Sequence, residues 1–372
     1  MKNLTQKLSK RFFGVGVRVV TLALFLVVFG TSAALAQTRG YVTNGGDNTV
    51  SVIDTATNTV VATIPVGTSP DGIAVTPNGA FVYVTNAGSN TVSVISAATN
   101  TVVATVPVGS FPLAVAITPN GAFAYVTNIG SDTVSVINTA TDTVTATIAG
   151  GINDPLSIAI TPNGASAYVL SSIANFYVID TATNTVTATV SIGGSVHGRI
   201  AITPNGAFAY MVDPSFSGVH VISTATNTQV GFASAGFGAF GIAITPNGAF
   251  AYVSDRFNNK VFVIDTATNT GVATVSVGTS PQGVAIDQSG DFIYVANRFD
   301  NTVSKISAAT NTVVATIPVG SFPNSIAFAP TQNGPTNKDQ CKNGGWATFT
   351  NPAFSNQGQC IKFVNHMDEH DQ

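Results

Sequence analysis

One phrase returns seven times along this chain. The tyrosine at Tyr41 recurs at Tyr83, Tyr125, Tyr168, Tyr210, Tyr252 and Tyr294, at intervals of 42 residues with a single interval of 43. A repeat of this length is one supersecondary unit that cannot bury its apolar face alone, so successive units must stack on one another. Seven of the eight tyrosines in the protein hold this position, which assigns them to packing rather than to chemistry.

The unit from Gly72 to Gly109 contains four short β-branched or aromatic runs bounded by turn residues, and such runs read as strands. They are labelled A (Ile73–Thr76), B (Phe81–Thr85), C (Thr91–Ile95) and D (Thr101–Val106). Between A and B, Pro77 presets one turn dihedral and Gly79 supplies a positive φ. Loops this short make each neighbouring pair antiparallel, and four-stranded units of this length are propeller blades. The repeats begin at a strand B (Gly40–Thr43) and end on a surplus strand A (Ser325–Ala329). Pairing those two closes a ring and removes its exposed edges. The expected fold is all-β: a closed seven-bladed β-propeller of four-stranded antiparallel blades over residues 37–330. An alanine recurs in strand A at 74, 116, 159, 201, 243, 285 and 327, where a small side chain lets neighbouring sheets converge.

Tyr83-Val84-Thr85-Asn86, repeated at Tyr41–Asn44 and Tyr125–Asn128, resembles the phrase of the YVTN family of β-propeller repeats. The resemblance covers about Gly40 to Pro330. It implies an exported bacterial or archaeal surface or periplasmic protein, with lactonase-like propellers and propeller domains of redox enzymes among its wider relatives. The Trp and Gly-His signatures of WD40 blades are absent, and the sole tryptophan, Trp346, lies beyond the repeats. Membership of a propeller family constrains fold and leaves activity open.

Residues 1–36 read as a secretory signal peptide: five basic residues, an apolar run from Val19 to Gly30, and Ala34-Leu35-Ala36 before Gln37. The run is shorter than the roughly 20 apolar residues of a membrane span, so no span is expected after cleavage, and an exported protein (periplasmic, cell-surface or secreted) is. Loss of five basic and no acidic residues takes the net charge from −3 to −8, and no Lys or Arg lies between Arg39 and Arg199. Nucleic acid, which demands clustered cations, is not an expected partner on that ground. Cys341 and Cys360, the only cysteines, are expected to form a disulfide in an oxidising compartment. They would close a small loop in a tail spanning residues 331–372.

Strand directions sort the loops onto two faces. The A-to-B turns repeat Thr-Pro-Asn-Gly from Thr76, Thr118, Thr161, Thr203 and Thr245, whereas the B-to-C and D-to-A loops differ from blade to blade. Divergence among copies on one face suggests use. Arg256-Phe257 and Arg298-Phe299 occupy the same B-to-C position on adjacent blades, with Phe216, Phe237, Phe240 and Phe322 on that same face. Arginine beside exposed aromatics is a common binding composition; phenylalanines folded beneath their loops, with arginines merely solvated, give the same sequence. A second candidate is the channel mouth. Arg199 replaces Gly72, Ala114, Ser157, Gly241, Gly283 and Ser325 of the other copies, and His197 precedes it by two residues. Arg199 could hold an anionic group or pair with a loop carboxylate such as Asp213.

Enzyme chemistry is thinly supplied. The repeats contain no glutamate, no cysteine and two histidines, His197 and His220. No carboxylate pair stands at matching channel positions for acid–base work, no His–carboxylate cluster suggests a metal, and no cofactor attachment motif is present. The expectation from sequence is therefore a non-enzymatic binding or surface module for a protein or glycan of the cell envelope. A metal-dependent lactonase-like hydrolase using the central channel, and a structural surface-layer component, are the alternatives.

Overall fold

The computed structural model describes residues 39–173, 175–193, 198–329, 341–342 and 357–362. The leader, His197 and most of the tail lie outside them. Seven four-stranded antiparallel sheets form seven blades. Blade 2 is representative: strands A (Pro70–Val75), B (Phe81–Asn86), C (Thr91–Ser96) and D (Thr101–Pro107). Strands B and C are buried almost throughout, while D alternates with solvent at the rim. That gradient follows from a radial stack in which the central strands B and C are covered by neighbouring strands and blades, while the edge strand D faces solvent at the rim.

Ring closure is observed. Pro323–Phe328 pairs antiparallel with Arg39–Asn44, matching Gly40 to Phe328, Tyr41 to Ala327 and Val42 to Ile326. The last strand thereby becomes strand A of blade 1. Cys341 and Cys360 form the expected disulfide, with Cα atoms 5.6 Å apart; residues 357–362 make a short helical segment.

The repeated tyrosine packs, and it also ties blades together. Each ring is buried, and at Tyr83, Tyr125, Tyr168, Tyr210 and Tyr252 the hydroxyl reaches the C-to-D turn of the next blade, whereas among the described residues that of Tyr41 makes no such bond. Tyr125 donates to Asn184 Oδ1 at 2.7 Å, Tyr210 to Asn269 Oδ1 at 2.7 Å, and Tyr83 to Asp142 Oδ1 at 2.6 Å. Burial pushes the Tyr125 and Tyr210 hydroxyls up to about 12. At the junction of blade 7 with blade 1 a different group makes this bond. Lys305, where other blades carry Val52 or Val94, donates to Thr55 O at 2.9 Å and Asn58 Oδ1 at 3.0 Å. Its ammonium lies 4.1 Å from the Phe292 ring centroid and 5.5 Å from that of Tyr294, within cation–π range.

The tightest inter-blade approach is not at the recurrent alanine. A Cβ on Gly72 would stand 2.4 Å from Leu113 O, and one on Gly241 would stand 2.2 Å from Gln282 O. Adjacent inner strands therefore meet backbone to backbone at Gly72, Gly241 and Gly283, where a Cβ would not fit as the strands stand; Ala114, Ser157, Arg199 and Ser325 hold the position in the other blades.

Candidate active site at the channel mouth

The central channel opens on the divergent face as a cavity of about 140 Å³. Small residues (Gly72, Ala114, Ser157, Gly241, Gly283, Ser325) ring it above a floor of branched aliphatics such as Ile73, Ile158 and Ile326. Arg199 breaks the ring of small side chains. In blade 2 the Gly72 amide is held by Thr85 Oγ1 at 2.8 Å. Blade 5 has Val212 at that register, with no hydroxyl, and the backbone adapts. Arg199 N–H donates to Phe240 O of blade 6 at 2.8 Å, and Arg199 O accepts from Val212 N at 3.0 Å.

The guanidinium of Arg199 crosses the mouth. Its Nη2 contacts Asp71 Oδ1 at 2.5 Å, on blade 2, three blades away around the ring. Its Nη1 donates to Leu156 O of blade 4 at 3.3 Å. Asp213, the partner suggested from sequence, is instead turned under its own loop. It accepts from Ser215 N at 2.8 Å and faces His220 Nε2 at 3.3 Å.

Among the described residues the B-to-C loop of six blades is stitched to the D-to-A loop of its own blade. Arg256 N donates to Gly238 O at 2.9 Å and Arg298 N to Ser280 O at 3.1 Å, which sets both arginines beside the start of strand A. The Arg256 guanidinium carbon lies 4.3 Å from the Phe240 ring centroid and 5.8 Å from that of Phe257. Arg199 approaches the same Phe240 ring at 5.3 Å. Arg298 lies 5.4 Å from the Phe322 centroid and donates to Asn324 Oδ1; Phe299 meets Phe322 edge-on at 6.2 Å. Burial, then Arg298, then Arg199 press the Arg256 guanidinium below its ordinary pKa. Cations from three consecutive blades thus converge.

The structure brings Arg199, Arg256, Arg298, Phe240, Phe257, Phe299 and Phe322 together. Phe240 belongs to strand A (Ala239–Ile244) rather than to a loop. Phe216 packs edge-on against His220, 5.8 Å away, and Phe237 projects into solvent, 72% exposed. His197 lies outside the described residues. Sequence reasoning missed Asp71. Its register position holds Leu113, Leu156, Phe240, Gln282 and Asn324 in other blades, and that variation, one residue before Arg199's, was the available signal.

Backbone strain marks the same rim. Phe111 and Phe322 both adopt φ of +54°, where Ser69 and Ser280 stand in other blades. A bulky side chain in the left-handed region is costly, and such residues concentrate at functional sites.

The set places one carboxylate, Asp71, and three guanidiniums at the mouth of a small open cavity that Arg199 lines. It does not suit a divalent cation. Among the described residues no three His, Cys, Asp or Glu side chains gather at a metal-binding distance, and the arginines would repel the ion.

Comparison with known proteins follows this geometry. The family model described as Lactonase, 7-bladed beta-propeller matches residues 35–149 and 207–316, well over half of the chain. The match overturns the expectation of a non-enzymatic binding or surface module: few histidines and no glutamate in the repeats did not mean no enzyme family. A solved structure of Kuenenia stuttgartiensis hydrazine synthase is similar at 25% identity and TM-score 0.67, over 72% of this chain and 92% of that one. A candidate 6-phosphogluconolactonase from Bacteroides uniformis shares the fold at 18% identity and TM-score 0.66, over 79% and 99% of the two chains. A 37-residue stretch is 62% identical to the PE-PGRS family protein PE_PGRS18 of Mycobacterium tuberculosis, spanning 10% of this chain and 8% of that relative's length. By its match across both halves of the ring, this chain belongs to the lactonase family of seven-bladed β-propellers.

Proposed function

We propose that the protein is a hydrolase that opens a lactone or related cyclic ester at the channel mouth, without a metal ion. The observation that supports it most is the opposition of Asp71 and Arg199 across the mouth, in a chain of lactonase-family type. Asp71 is the carboxylate placed to accept a proton from an attacking water. As water oxygen bonds to the carbonyl carbon, negative charge grows on the carbonyl oxygen. Guanidiniums held beforehand by their contacts with Phe240 and Phe322 stabilise that charge with little reorganisation. The ring carbon–oxygen bond then breaks, the proton held by Asp71 passes to the departing ring oxygen, and the product is a hydroxy acid. The acid ionises at neutral pH, so its carboxylate is drawn toward the arginines already present.

The test is base consumption by purified protein across a panel of five- and six-membered lactones, with and without a chelator. Turnover that survives chelation and falls by about 100-fold or more in Asp71→Asn is expected, the usual scale for loss of a general base. Wild-type turnover in that variant, or its abolition by chelation, would reject the assignment. The tyrosine phrase further supports a YVTN-type exported protein in this reading; mature protein recovered from the envelope should then begin at Gln37.

A further inference from the structure

Among the described residues no carboxylate stands within ion-pair distance of Arg256 or Arg298, whereas Arg199 is paired with Asp71. Arg298 is held by the neutral amide of Asn324. The Nε of Arg256 is buried and has no hydrogen-bond partner. The carboxylate nearest in sequence, Asp255, is fully buried and spent on its own loop, accepting from Phe257 N at 3.0 Å, Asn258 N at 3.1 Å and Asn258 Nδ2 at 2.8 Å. Asp300 is likewise occupied by Thr279 N at 2.6 Å. An unpaired, partly buried guanidinium beside two others is an unfavourable arrangement for the free protein. An entering anion would relieve it.

The surroundings of these two arginines are apolar. Their guanidiniums lie against Phe240, Phe257 and Phe322, and Phe257 and Phe299 remain 71% and 62% exposed. No other blade carries arginine at this loop position, where Gly45, Ala87, Ile129, Ser172 and Pro214 stand. A fully hydrated anion would gain charge contacts here and leave the aromatic faces unused. An amphipathic organic anion would use both.

We infer that Arg256 and Arg298, with Phe257, Phe299 and Phe322, form a subsite for a carboxylate borne on an apolar body, so that the molecule handled at this mouth is an amphipathic organic acid. This extends the hydrolase reading by naming the chemistry of its ligand, and it is testable without turnover. The carboxylate bridges the two guanidiniums through charge-assisted hydrogen bonds, and the apolar body lies along the exposed phenylalanine faces.

The probe is 4-phenylbutyrate, compared by calorimetry and thermal shift with butyrate, 4-phenylbutanol and inorganic phosphate. Phenylbutyrate should bind at least tenfold more tightly than each of the three, and more weakly as salt rises. Arg256→Gln and Arg298→Gln should each lose about tenfold in affinity. The melting temperature of ligand-free Arg256→Gln should equal or exceed that of the wild type, because an unrelieved charge has gone. Phe257→Ala and Phe299→Ala change exposed side chains, leave the fold intact, and should erase the preference for phenylbutyrate over butyrate. Equal binding of the alcohol, tighter binding of inorganic phosphate, or unchanged affinity in both arginine variants would overturn the inference. Asp71→Asn should bind phenylbutyrate as the wild type does. Binding with no lactone turnover in the wild type would leave this subsite standing and reject the hydrolase reading; turnover with no anion preference would do the reverse.

Discussion

The two faces of the ring are built from the same strands and serve different ends. On one face the Thr-Pro-Asn-Gly turns repeat almost atom for atom. Thr76 Oγ1 donates to Asn78 Oδ1 at 2.6 Å, and the equivalent bonds from Thr118, Thr161, Thr203 and Thr245 are all 2.7 Å. The glycine that follows adopts a positive φ near +73° in each turn, as at Gly121 and Gly206. The threonine hydroxyl and the asparagine carbonyl of each turn are used locally, which makes these turns sturdy. On the other face the loops share only their stitching to the neighbouring loop. Their side chains include unpaired arginines, exposed phenylalanines and two phenylalanines at positive φ. Local satisfaction marks the repetitive face, and local dissatisfaction marks the face on which the proposed site lies.

Asp71→Asn should break this contrast most severely, removing turnover and also lowering the melting temperature, since it leaves Arg199 unpaired beside two other guanidiniums. Next comes Lys305→Ala at the closing seam. It removes two hydrogen bonds and buried aliphatic stem, at a cost of about 2–3 kcal/mol, so denaturant melts should shift while Km for any substrate stays put. Alkaline pH attacks the repetitive architecture as a whole. The Tyr125 and Tyr210 hydroxyls are raised by burial from 10.0 to about 12. A proton held more tightly in the folded state contributes stability that is fully present below pH 10 and lost as pH rises through about 12. Thermal melts should therefore fall between those values; a flat profile would mean that the inter-blade hydroxyl bonds contribute nothing. The smallest effect sharpens the comparison instead of breaking it. Phe322→Asn relieves a left-handed backbone at an aromatic residue and should stabilise by about 1 kcal/mol, while weakening phenylbutyrate binding through loss of an aromatic face. Stability gained and binding lost together would identify the rim strain as functional.

Much of the fold was legible before any coordinates. A 42-residue period with four β-branched runs admits few architectures, and the surplus strand read at Ser325–Ala329, found in the structure as Pro323–Phe328, implies its own partner. The arginines and most of the phenylalanines of the rim were also visible, because copies within one chain can be compared. The site's central pair was not. Asp71 and Arg199 are 128 residues apart, on blades that are not neighbours, and nothing in local sequence says that the side chain of one reaches across to the other. Arg199 was matched with the wrong carboxylate for the same reason: Asp213 is near in sequence, yet its own loop amides and His220 claim it first. The segment carrying Arg199 also falls between the two stretches that match the family model, so the mouth combines family-typical blades with an arginine contributed from outside them.

Sequence alone determined the ring, its seven blades, its closing strand and its two unlike faces. Those properties depend on period, turn chemistry and β-branching, which act over a few residues and repeat. Tertiary structure alone decided that Arg199, Arg256 and Arg298 converge, that a single aspartate opposes them, and that Lys305 takes over the tyrosine's acceptors at the seam. A ring brings residues from distant blades to one axis, and electrostatic interactions across that axis follow distance in space, which the order of residues along the chain does not record.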